Sequence, residues 1–485
     1  MGVVAKQTFY NLLSIGLAFG LGAINTLYMY PNFMGSRLQG VVIALLAYSN
    51  LVQPFISFGL QHAIIKYYSS FKTKEEKDSL LTFTIWSPLI IMSFILIYIW
   101  MFSSSIIDDI SSKEPLISTY AFVIILVAIS TSYFEIFYSW LRVQLASVFG
   151  NFLKEFYPRL LNFVLLTLYA LDFLKFETFI YSLIVGYYIR LLLVIFYSLK
   201  VYTPKLSFKL PPLILKILFY SLLIFLSGAA SSIILDIDKS MIASLITSDD
   251  VAFYSVALFI AAVIEAPGRA MFQIVSPLVS KAVNSDNKVY LIQLLKKSSD
   301  NLFLVSGVLF LLINLNLTDF YDFVDQPLYA VAAGVVTIVS VGKLYSMSMG
   351  CLNNIISNSK FYPFIFWFSI LSASVAVILN FVLIPKYGII GAAYATLVVI
   401  ILINSLKLIL ISYGLKIHPY SKQTLKIIVL IILVYLALYN IDFKYSSFIN
   451  LIIRSGLIIL LYFILSQFFG LSKDINQQLK KYLGK

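Results

Sequence analysis

Several residue types are scarce in this sequence, and each scarcity excludes a class of protein. The chain has 485 residues but one cysteine, Cys351, so disulfide frameworks and cysteine metal clusters are excluded. Two histidines are too few for a histidine metal site, and we expect no cofactor. Charged residues make up 12% of the chain, whereas soluble globular proteins have about 25%. No G-x-x-x-x-G-K-S/T motif occurs, so direct use of ATP through a P-loop is not supported.

Long apolar runs dominate what is present. The chain is 60% hydrophobic with a mean hydropathy of +0.94, and its apolar runs are continuous over about 20 residues rather than alternating. Such runs predict transmembrane helices and not barrel strands. We therefore expect an all-α polytopic membrane protein with about 14 transmembrane helices, at approximate positions 8–30, 39–60, 80–102, 116–138, 156–172, 178–200, 213–236, 251–276, 300–316, 328–350, 361–384, 388–411, 423–440 and 447–469.

The distribution of lysine and arginine predicts the orientation. With the N-terminus inside, the inner segments carry 21 of these residues and the outer segments carry 6, which is the bias expected of cytoplasmic loops. Both termini are therefore predicted to be cytoplasmic. The net charge of +13 follows from this topology and adds some attraction to anionic lipid, so membrane lipids are expected partners and nucleic acid is not.

An internal repeat predicts two lobes. Short aromatic motifs recur at offsets of 205 to 210 residues: 9–13 with 219–223, 156–158 with 361–363, and 138–139 with 345–346. A six-helix unit repeated in the same orientation forms a parallel repeat, with the substrate site in a central cavity between the halves. The predicted divisions are an N-lobe of spans 1–6 over 1–210, a C-lobe of spans 7–12 over 211–415, and spans 13–14 with a cytoplasmic tail over 416–485.

The eighth predicted span carries unusual polar residues at or beyond its middle. Glu265, Arg269 and Gln273 are four residues apart and share one helix face. A charge at that depth costs roughly 2.5–3.5 kcal/mol, so this face is predicted to meet water or a partner and to form one wall of the cavity. Glu265 is the candidate coupling residue, which exchanges H+ or Na+ or switches its pairing with Arg269. Pro267 is expected to kink the helix and to act in gating. The alternative is a buried ion pair that holds helices together.

Two further spans carry candidate site residues. Span two, the repeat counterpart of span eight, holds Gln53 and Pro54 at matching depth, which suggests a second polar, bent wall; an ordinary proline kink is the alternative. Arg190 lies near the middle of span six and needs a cavity, a phosphate or a carboxylate. We predict that Arg190, Arg269, Gln273 and Gln53 bind substrate, and that Pro54 acts in gating with its counterpart in span eight.

Other intramembrane features favour structural roles. Lys343 and Arg454 are expected to snorkel to an interface, and Glu135 is expected to pair with Arg159 or snorkel. The G-x-x-x-G motif at residues 16–20 predicts close helix packing. Residues 236–238 have the form of the D-x-D motif of sugar-nucleotide glycosyltransferases, but they lie at the predicted outer end of a span without a soluble fold around them.

Residues 379–399, LNFVLIPKYGIIGAAYATLVV, closely resemble the helix–turn–helix signature of polysaccharide-biosynthesis exporters in the multidrug/oligosaccharidyl-lipid/polysaccharide superfamily. Residues 236–260 resemble that family's connection between spans seven and eight, and residues 30–68 resemble its first-to-second connection. The chain is most similar to the Wzx-type branch of O-antigen and capsule repeat-unit flippases.

This resemblance implies a function in the bacterial inner membrane. Such flippases move undecaprenyl-pyrophosphate-linked oligosaccharides from the inner to the outer leaflet for O-antigen, capsule or exopolysaccharide synthesis. The protein is then not an enzyme, and a polysaccharide polymerase and other assembly proteins are candidate partners. One alternative is a cation or drug antiporter of the same superfamily, which should show unpaired deep carboxylates. A membrane polysaccharide polymerase or glycosyltransferase is another alternative, and a polymerase is expected to have a large outer loop.

Overall fold

The computed structural model describes residues 3–111, 114–144, 146–206, 209–441 and 443–471. Within these ranges, the side chains that are not described belong to residues 3–13, 99–100, 102–111, 227, 229–232, 234–235, 270 and 273. All regular structure in the described ranges is helical. Helices suit the apolar runs because each helix forms its own backbone hydrogen bonds. The hydrocarbon of a membrane offers no hydrogen-bond partners to backbone groups.

The described helices follow one another with short connections. The α-helices are α1 Val3–Ile24, α2 Gly35–Ser57, α3 Leu60–Tyr67, α4 Lys74–Ser111, α5 Pro115–Thr119, α6 Phe122–Val143, α7 Ser147–Glu155, α8 Tyr157–Ala170, α9 Phe176–Val201, α10 Ile214–Leu245, α11 Ser248–Ala262, α12 Ala266–Asn284, α13 Lys288–Asn314, α14 Leu317–Phe323, α15 Ala333–Ser348, α16 Leu352–Asn358, α17 Pro363–Gly414, α18 Lys422–Tyr439 and α19 Ser447–Phe468. A π-helical segment spans Asn25–Met34, and 3-10 turns span Tyr68–Ser70, Val263–Glu265 and Pro327–Ala332.

The helix lengths fit a protein that crosses the membrane many times. Nine helical stretches among the described residues are long and apolar enough to span a bilayer, or ten if α13 and α14 form one bent span. Two of the nine, Ser14–Ser57 with 44 residues and Pro363–Gly414 with 52, are long enough for two crossings each. At 1.5 Å per residue they exceed twice the roughly 30 Å of a hydrocarbon core. The predicted all-helical polytopic membrane fold is confirmed, and each predicted span lies on helix in the described residues.

Gly388 interrupts the longest helix at the predicted turn. Its backbone has φ 58° and ψ −140°, a conformation that glycine adopts without a steric penalty from Cβ. Pro385 lies three residues earlier, where it also limits regular hydrogen bonding. The P-K-Y-G segment therefore ends one crossing and begins the next.

The contacts group the chain into two compact units. The first contains residues 1–255 and 376–388, and the second contains residues 256–375 and 389–485. These bounds differ from the predicted lobes, because α10 packs along α2 within the first unit although the repeat assigns it to the second lobe. The lobe division is based on sequence offsets and stays a prediction.

In the first unit, Gly40 on α2 and Gly59 between α2 and α3 lie very close to the backbones of neighbouring helices. A Cβ atom added to Gly40 would lie 1.7 Å from the carbonyl oxygen of Ser248, and one added to Gly59 would lie 2.5 Å from that of Ser221. By contrast, Cβ atoms added to Gly16 and Gly20 would meet no described atom within 4 Å. Close packing therefore occurs at Gly40 and Gly59, and the structure does not show the packing predicted for the G-x-x-x-G motif.

In the second unit, a charged cluster ties the last helix to α14. Arg454 of α19 is only 8% exposed and pairs with Asp319. Its guanidinium also donates to the carbonyl oxygens of Leu315 and Ile441, each at 3.0 Å, while Asn450 donates to Asp319 at 3.0 Å. The prediction that Arg454 snorkels to an interface is therefore wrong, because these groups hold it inside the unit.

The charges of the fourth and fifth predicted spans have other partners than expected. The amine of Lys154 lies 2.7 Å from the Glu135 carboxylate, and Arg159 lies 3.5 Å from Glu155, one helical turn away. The predicted Glu135–Arg159 pair is therefore wrong. A lysine on the short helix α7 was a nearer partner, which spacing along the predicted spans did not reveal.

Candidate functional site

A 3-10 turn interrupts the α-helix of the eighth predicted span near its middle, at the position of its polar residues. Helix α11 ends at Ala262, a single 3-10 turn covers Val263–Glu265, and α12 begins at Ala266. Pro267 occupies the first turn of α12, where the lack of an N–H costs no intrahelical hydrogen bond. The backbone at the predicted kink is a 3-10 turn, and the kink and the gating role of Pro267 stay predictions.

A neighbouring helix contacts the backbone at this turn. The hydroxyl of Ser306 on α13 donates to the carbonyl oxygen of Ile264 at 2.9 Å, and both residues are buried. Ser306 therefore joins α13 to the 3-10 turn beside Glu265.

Glu265 forms an ion pair with Lys343 of α15. The lysine amine donates to Glu265 Oε2 at 2.9 Å, and each side chain is 24% exposed. The interpretation of Lys343 as a snorkelling residue is therefore wrong. Glu265 thus joins this turn to a helix whose residue lies 78 positions along the chain, and its coupling role stays a prediction.

A polar cavity of about 220 Å³ lies beside this pair within the second unit. Glu265, Arg269, Ser346, Asn353 and Asn404 contribute polar groups to its lining, together with Phe272, Met347, Met349, Gly350 and Leu352. Asn404 donates to the Ser346 hydroxyl at 2.9 Å, so these two groups are held in place.

Charged side chains of both signs lie at this cavity. Arg269 lines it directly, and Lys343 meets the cavity-lining carboxylate of Glu265. An arginine fork and polar amide and hydroxyl groups form an arrangement suited to an anion with several oxygen atoms.

Backbone geometry at the end of α15 positions one rim of the cavity. Gly350 has φ +57°, and an added Cβ would lie 2.5 Å from the backbone nitrogen of Ser299. The Ser298 hydroxyl accepts a hydrogen bond from the Cys351 amide at 3.0 Å. Helix α13 thus holds the turn that follows α15 and keeps Ser346 and its neighbours at the cavity.

The structure brings some predicted site residues together and leaves others undecided. Glu265 and Arg269 line the same cavity. The side chain of Gln273 lies outside the described residues. Sequence reasoning missed Lys343 as a partner of Glu265 and missed Asn404 altogether. An amide inside an otherwise apolar span was the available signal for Asn404.

Gln53 and Pro54 lie near the C-terminal end of α2 in the first unit. Pro54 is buried, and its carbonyl accepts from the Phe58 amide at 2.9 Å where the helix ends in a left-handed residue. The side-chain amide of Gln53 donates to the Ser57 hydroxyl at 3.3 Å, while the backbone carbonyl of Gln53 accepts from the Ser132 hydroxyl at 3.0 Å. Gln53 thus has partners within the unit, and the substrate-binding and gating roles of the two residues stay predictions.

Arg190 is buried between aromatic rings in the first unit. It is 4% exposed, and its guanidinium carbon lies 4.4 Å from the Phe134 ring centroid and 4.7 Å from that of Tyr187. Its Nη2 atom donates to the Thr131 hydroxyl at 3.2 Å, while Nε has no hydrogen-bond partner among the described residues. A desolvated cation–π contact contributes about 2 kcal/mol, which helps to keep the charge inside. Whether Arg190 and Arg269 meet one anion stays a prediction.

Asp236 and Asp238 form a polar cluster within the first unit. Asp238 is buried and accepts hydrogen bonds from Tyr254, at 2.7 Å, and from Asn380. Asp236 pairs with Lys239 at 2.8 Å and accepts a hydrogen bond from Asn50 of α2 at 3.1 Å. The two carboxylates therefore join α10 to three other helices. Among the described residues, no three histidine, cysteine or acidic side chains are grouped to hold a metal ion.

Solved structures similar to this chain are membrane transporters. A lipid II flippase, MurJ, in an inward closed conformation matches with a TM-score of 0.71 and 18% identity, over 97% of this chain and 99% of the other. An inward-facing multidrug resistance MATE family transporter of the MOP superfamily matches with a TM-score of 0.60 and 16% identity, over 84% and 96%. These likenesses show a shared helical fold.

Comparison with curated proteins finds no match to this sequence. Residues 4–283 match the family described as "Polysaccharide biosynthesis protein". The family resemblance inferred from the sequence motifs is thereby confirmed. Because the match covers more than half of its length, this multi-pass membrane chain belongs to the polysaccharide biosynthesis protein family.

Proposed function

We propose that this protein is a flippase for lipid-linked oligosaccharide repeat units. Its substrate is an oligosaccharide joined through pyrophosphate to a polyprenyl lipid, which it moves from the inner to the outer leaflet of a bacterial inner membrane. The product feeds O-antigen, capsule or exopolysaccharide synthesis. The family match and the fold shared with a lipid II flippase support this proposal.

The observation that carries the proposal is the cavity that Arg269 and several polar groups line beside the 3-10 turn between α11 and α12. A sugar–pyrophosphate headgroup cannot cross hydrocarbon without polar groups that replace its water. Arg269, Ser346 and Asn404 provide such groups among otherwise apolar helices. The guanidinium of Arg269 suits the pyrophosphate, which is common to such lipid donors, whereas the sugars differ.

Arginine is the residue type expected for this task. Its guanidinium remains charged when partly desolvated and binds two phosphate oxygens with one planar fork. Each charge-assisted hydrogen bond contributes about 1.5–3 kcal/mol, so loss of one lowers affinity about tenfold or more. Glu265 and Lys343 adjust the charge beside Arg269, and we assign Glu265 the coupling of transport to H+ or Na+.

The protein works with both termini in the cytoplasm and with a polysaccharide polymerase as the enzyme that receives its product. It performs transport and no covalent chemistry. Glycosyltransferases supply the lipid-linked substrate on the cytoplasmic side, and membrane lipids surround the helices.

The test is complementation of a flippase-null strain. Arg269→Ala should abolish or strongly reduce surface glycan, and Arg269→Lys should restore part of it because it keeps charge without the fork. Lys386→Ala, at the turn before Gly388 and outside the cavity, is the control for loss of one cation. Membrane levels of every variant are quantified. Full surface glycan from Arg269→Ala at normal protein level would contradict the proposal.

A cation or drug antiporter is the alternative that the fold shared with MATE transporters favours. The pairing of Glu265 with Lys343 argues against a carboxylate open to a cationic substrate. Reconstituted vesicles distinguish the two functions. Translocation of a fluorescent polyprenyl-pyrophosphate oligosaccharide supports the flippase, whereas efflux of an organic cation without lipid translocation supports the antiporter.

A further inference from the structure

A pocket in the first unit combines lysines, tyrosines and exposed apolar side chains. Helix α3 contributes Lys66 and Tyr67, and the first turns of α10 contribute Lys216 and Tyr220. The pocket is an open groove with a volume of about 430 Å³. The distribution of lysine and arginine predicts that both helix ends lie at the cytoplasmic surface of the membrane.

The ammonium group of Lys66 is held in place by two aromatic rings. Its Nζ atom lies 3.8 Å from the Tyr220 ring centroid and 5.4 Å from that of Tyr67. The two rings meet edge to face at 5.7 Å and 83°, and the Tyr67 hydroxyl donates to the backbone carbonyl of Lys216 at 3.3 Å. The cation is therefore ordered before a ligand arrives, which reduces the entropy lost on binding.

The charge of the pocket is not neutralised inside the protein. Among the described side chains, neither Lys66 nor Lys216 has a carboxylate within 4.0 Å of its amine. Lys209, a few residues before α10, instead pairs with Glu75 at 2.8 Å. Two amines without acidic partners beside one pocket favour an anionic ligand.

An exposed apolar stripe runs beside the two lysines. Leu215, Phe219 and Leu223 are four residues apart on α10 and therefore share one helix face, with exposed fractions of 79%, 64% and 39%. Lys216 and Tyr220 occupy the adjacent face with the same spacing. A ligand that covers both stripes has an anionic group joined to a hydrocarbon chain.

We propose that this pocket binds an anionic phospholipid. The phosphate of the headgroup lies between Lys66 and Lys216, and an acyl chain runs along Leu215, Phe219 and Leu223. A free phosphate would satisfy the amines but leave the apolar stripe uncovered, so a lipid fits both features. This site holds the junction of α3 and α10 at the membrane surface and does not depend on the substrate of the transporter.

The experiment titrates purified full-length protein in detergent with phosphatidylglycerol and measures bound lipid by native mass spectrometry. Lys66→Gln combined with Lys216→Gln should weaken binding about 30-fold, as expected for the loss of two lysines near an anionic lipid. Lys205→Gln combined with Lys416→Gln removes the same charge elsewhere on the predicted cytoplasmic side and should leave the affinity unchanged. Phe219→Ser should weaken binding through the acyl chain alone.

Three results would overturn the proposal. Equal weakening by both double variants would show general electrostatic attraction. Equal binding of phosphatidylcholine would show that the anion is irrelevant, and displacement by inorganic phosphate with wild-type binding by Phe219→Ser would identify a free anion as the ligand. Lys66→Arg with Lys216→Arg keeps both charges and should bind like the wild type. Apparent unfolding temperature is measured for each variant, so that a folding defect is recognised as such.

Discussion

Lys343 donates a hydrogen bond to Glu265 at 2.9 Å, and this pair joins α15 to the turn that interrupts the eighth predicted span. Removal of one partner leaves a partly buried charge without its counterion. We expect Lys343→Met to destabilise the protein by about 1.5–3 kcal/mol, the contribution of a hydrogen bond to a charged group. Apparent unfolding temperature in detergent and quantified membrane level measure this effect.

The double variant Glu265→Gln/Lys343→Gln separates stability from transport. It removes both charges and should restore the membrane level lost in Lys343→Met, because no isolated charge remains. Transport should still fail if Glu265 couples translocation to H+ or Na+. Normal transport by Glu265→Gln across pH and sodium gradients would assign this carboxylate a structural role only.

Two replacements of Arg190 distinguish a structural role in packing from a role in substrate binding. Arg190→Ala removes a buried side chain and its cation–π contacts, and we expect a loss of about 2–3 kcal/mol of stability with low membrane levels. Arg190→Met retains most of the volume between Phe134 and Tyr187 and should keep the protein level near normal. If Arg190 binds the pyrophosphate, the methionine variant should lose surface glycan about tenfold. Full glycan display by this variant would remove Arg190 from the mechanism.

Gly40 should tolerate no side chain. A Cβ atom there would lie 1.7 Å from the Ser248 carbonyl oxygen, so Gly40→Ala must shift α2 relative to the start of α11. We expect a loss of about 1–3 kcal/mol, as for overpacked cores, read as a lower unfolding temperature. Gly16→Ala is the matched control, since its Cβ meets no described atom within 4 Å, and it should be neutral or stabilising.

Acid should weaken the contact between Glu114 and α2. Arg37 donates to both carboxylate oxygens, at 2.8 and 2.9 Å, and these bonds lower the pKa of Glu114 from its ordinary value. The resulting stabilisation is fully present above the unfolded carboxyl pKa of about 4.3 and is lost as pH falls through the lower folded value. Below about pH 4 the unfolding temperature of the wild type should therefore fall, and that of Glu114→Gln should fall less. Glu177→Gln replaces an exposed acid of α9, and its unfolding temperature should fall as much as that of the wild type.

Labelling in intact cells should verify the predicted topology. The single cysteine, Cys351, is fully buried, so a Cys351→Ser background allows one new cysteine at a time. A membrane-impermeant maleimide should label a cysteine in 103–115 from outside and should not label one in 61–79 or 277–299. Outside labelling of either basic loop would overturn the orientation and the span count.

The sequence by itself determined where the helices lie. A span in hydrocarbon must satisfy its backbone hydrogen bonds within its own length, so apolar length and local breaks are sufficient to locate it. The turn at Gly388 followed from residues next to it, and the interruption beside Pro267 was indicated by polar residues in an apolar run. The family was likewise readable, because its motifs are continuous segments of the chain.

Only the tertiary structure decided which side chains meet. Lys343 and Glu265 are 78 residues apart, and Arg454 and Asp319 are 135 apart. Spacing along one helix predicts neighbours within that helix and says nothing about the rotation of another helix. An intramembrane charge must find a partner, but many helices offer one, and the choice follows from packing. For the same reason the aromatic contacts of Arg190 and the close approach at Gly40 became evident only when the helices were packed together.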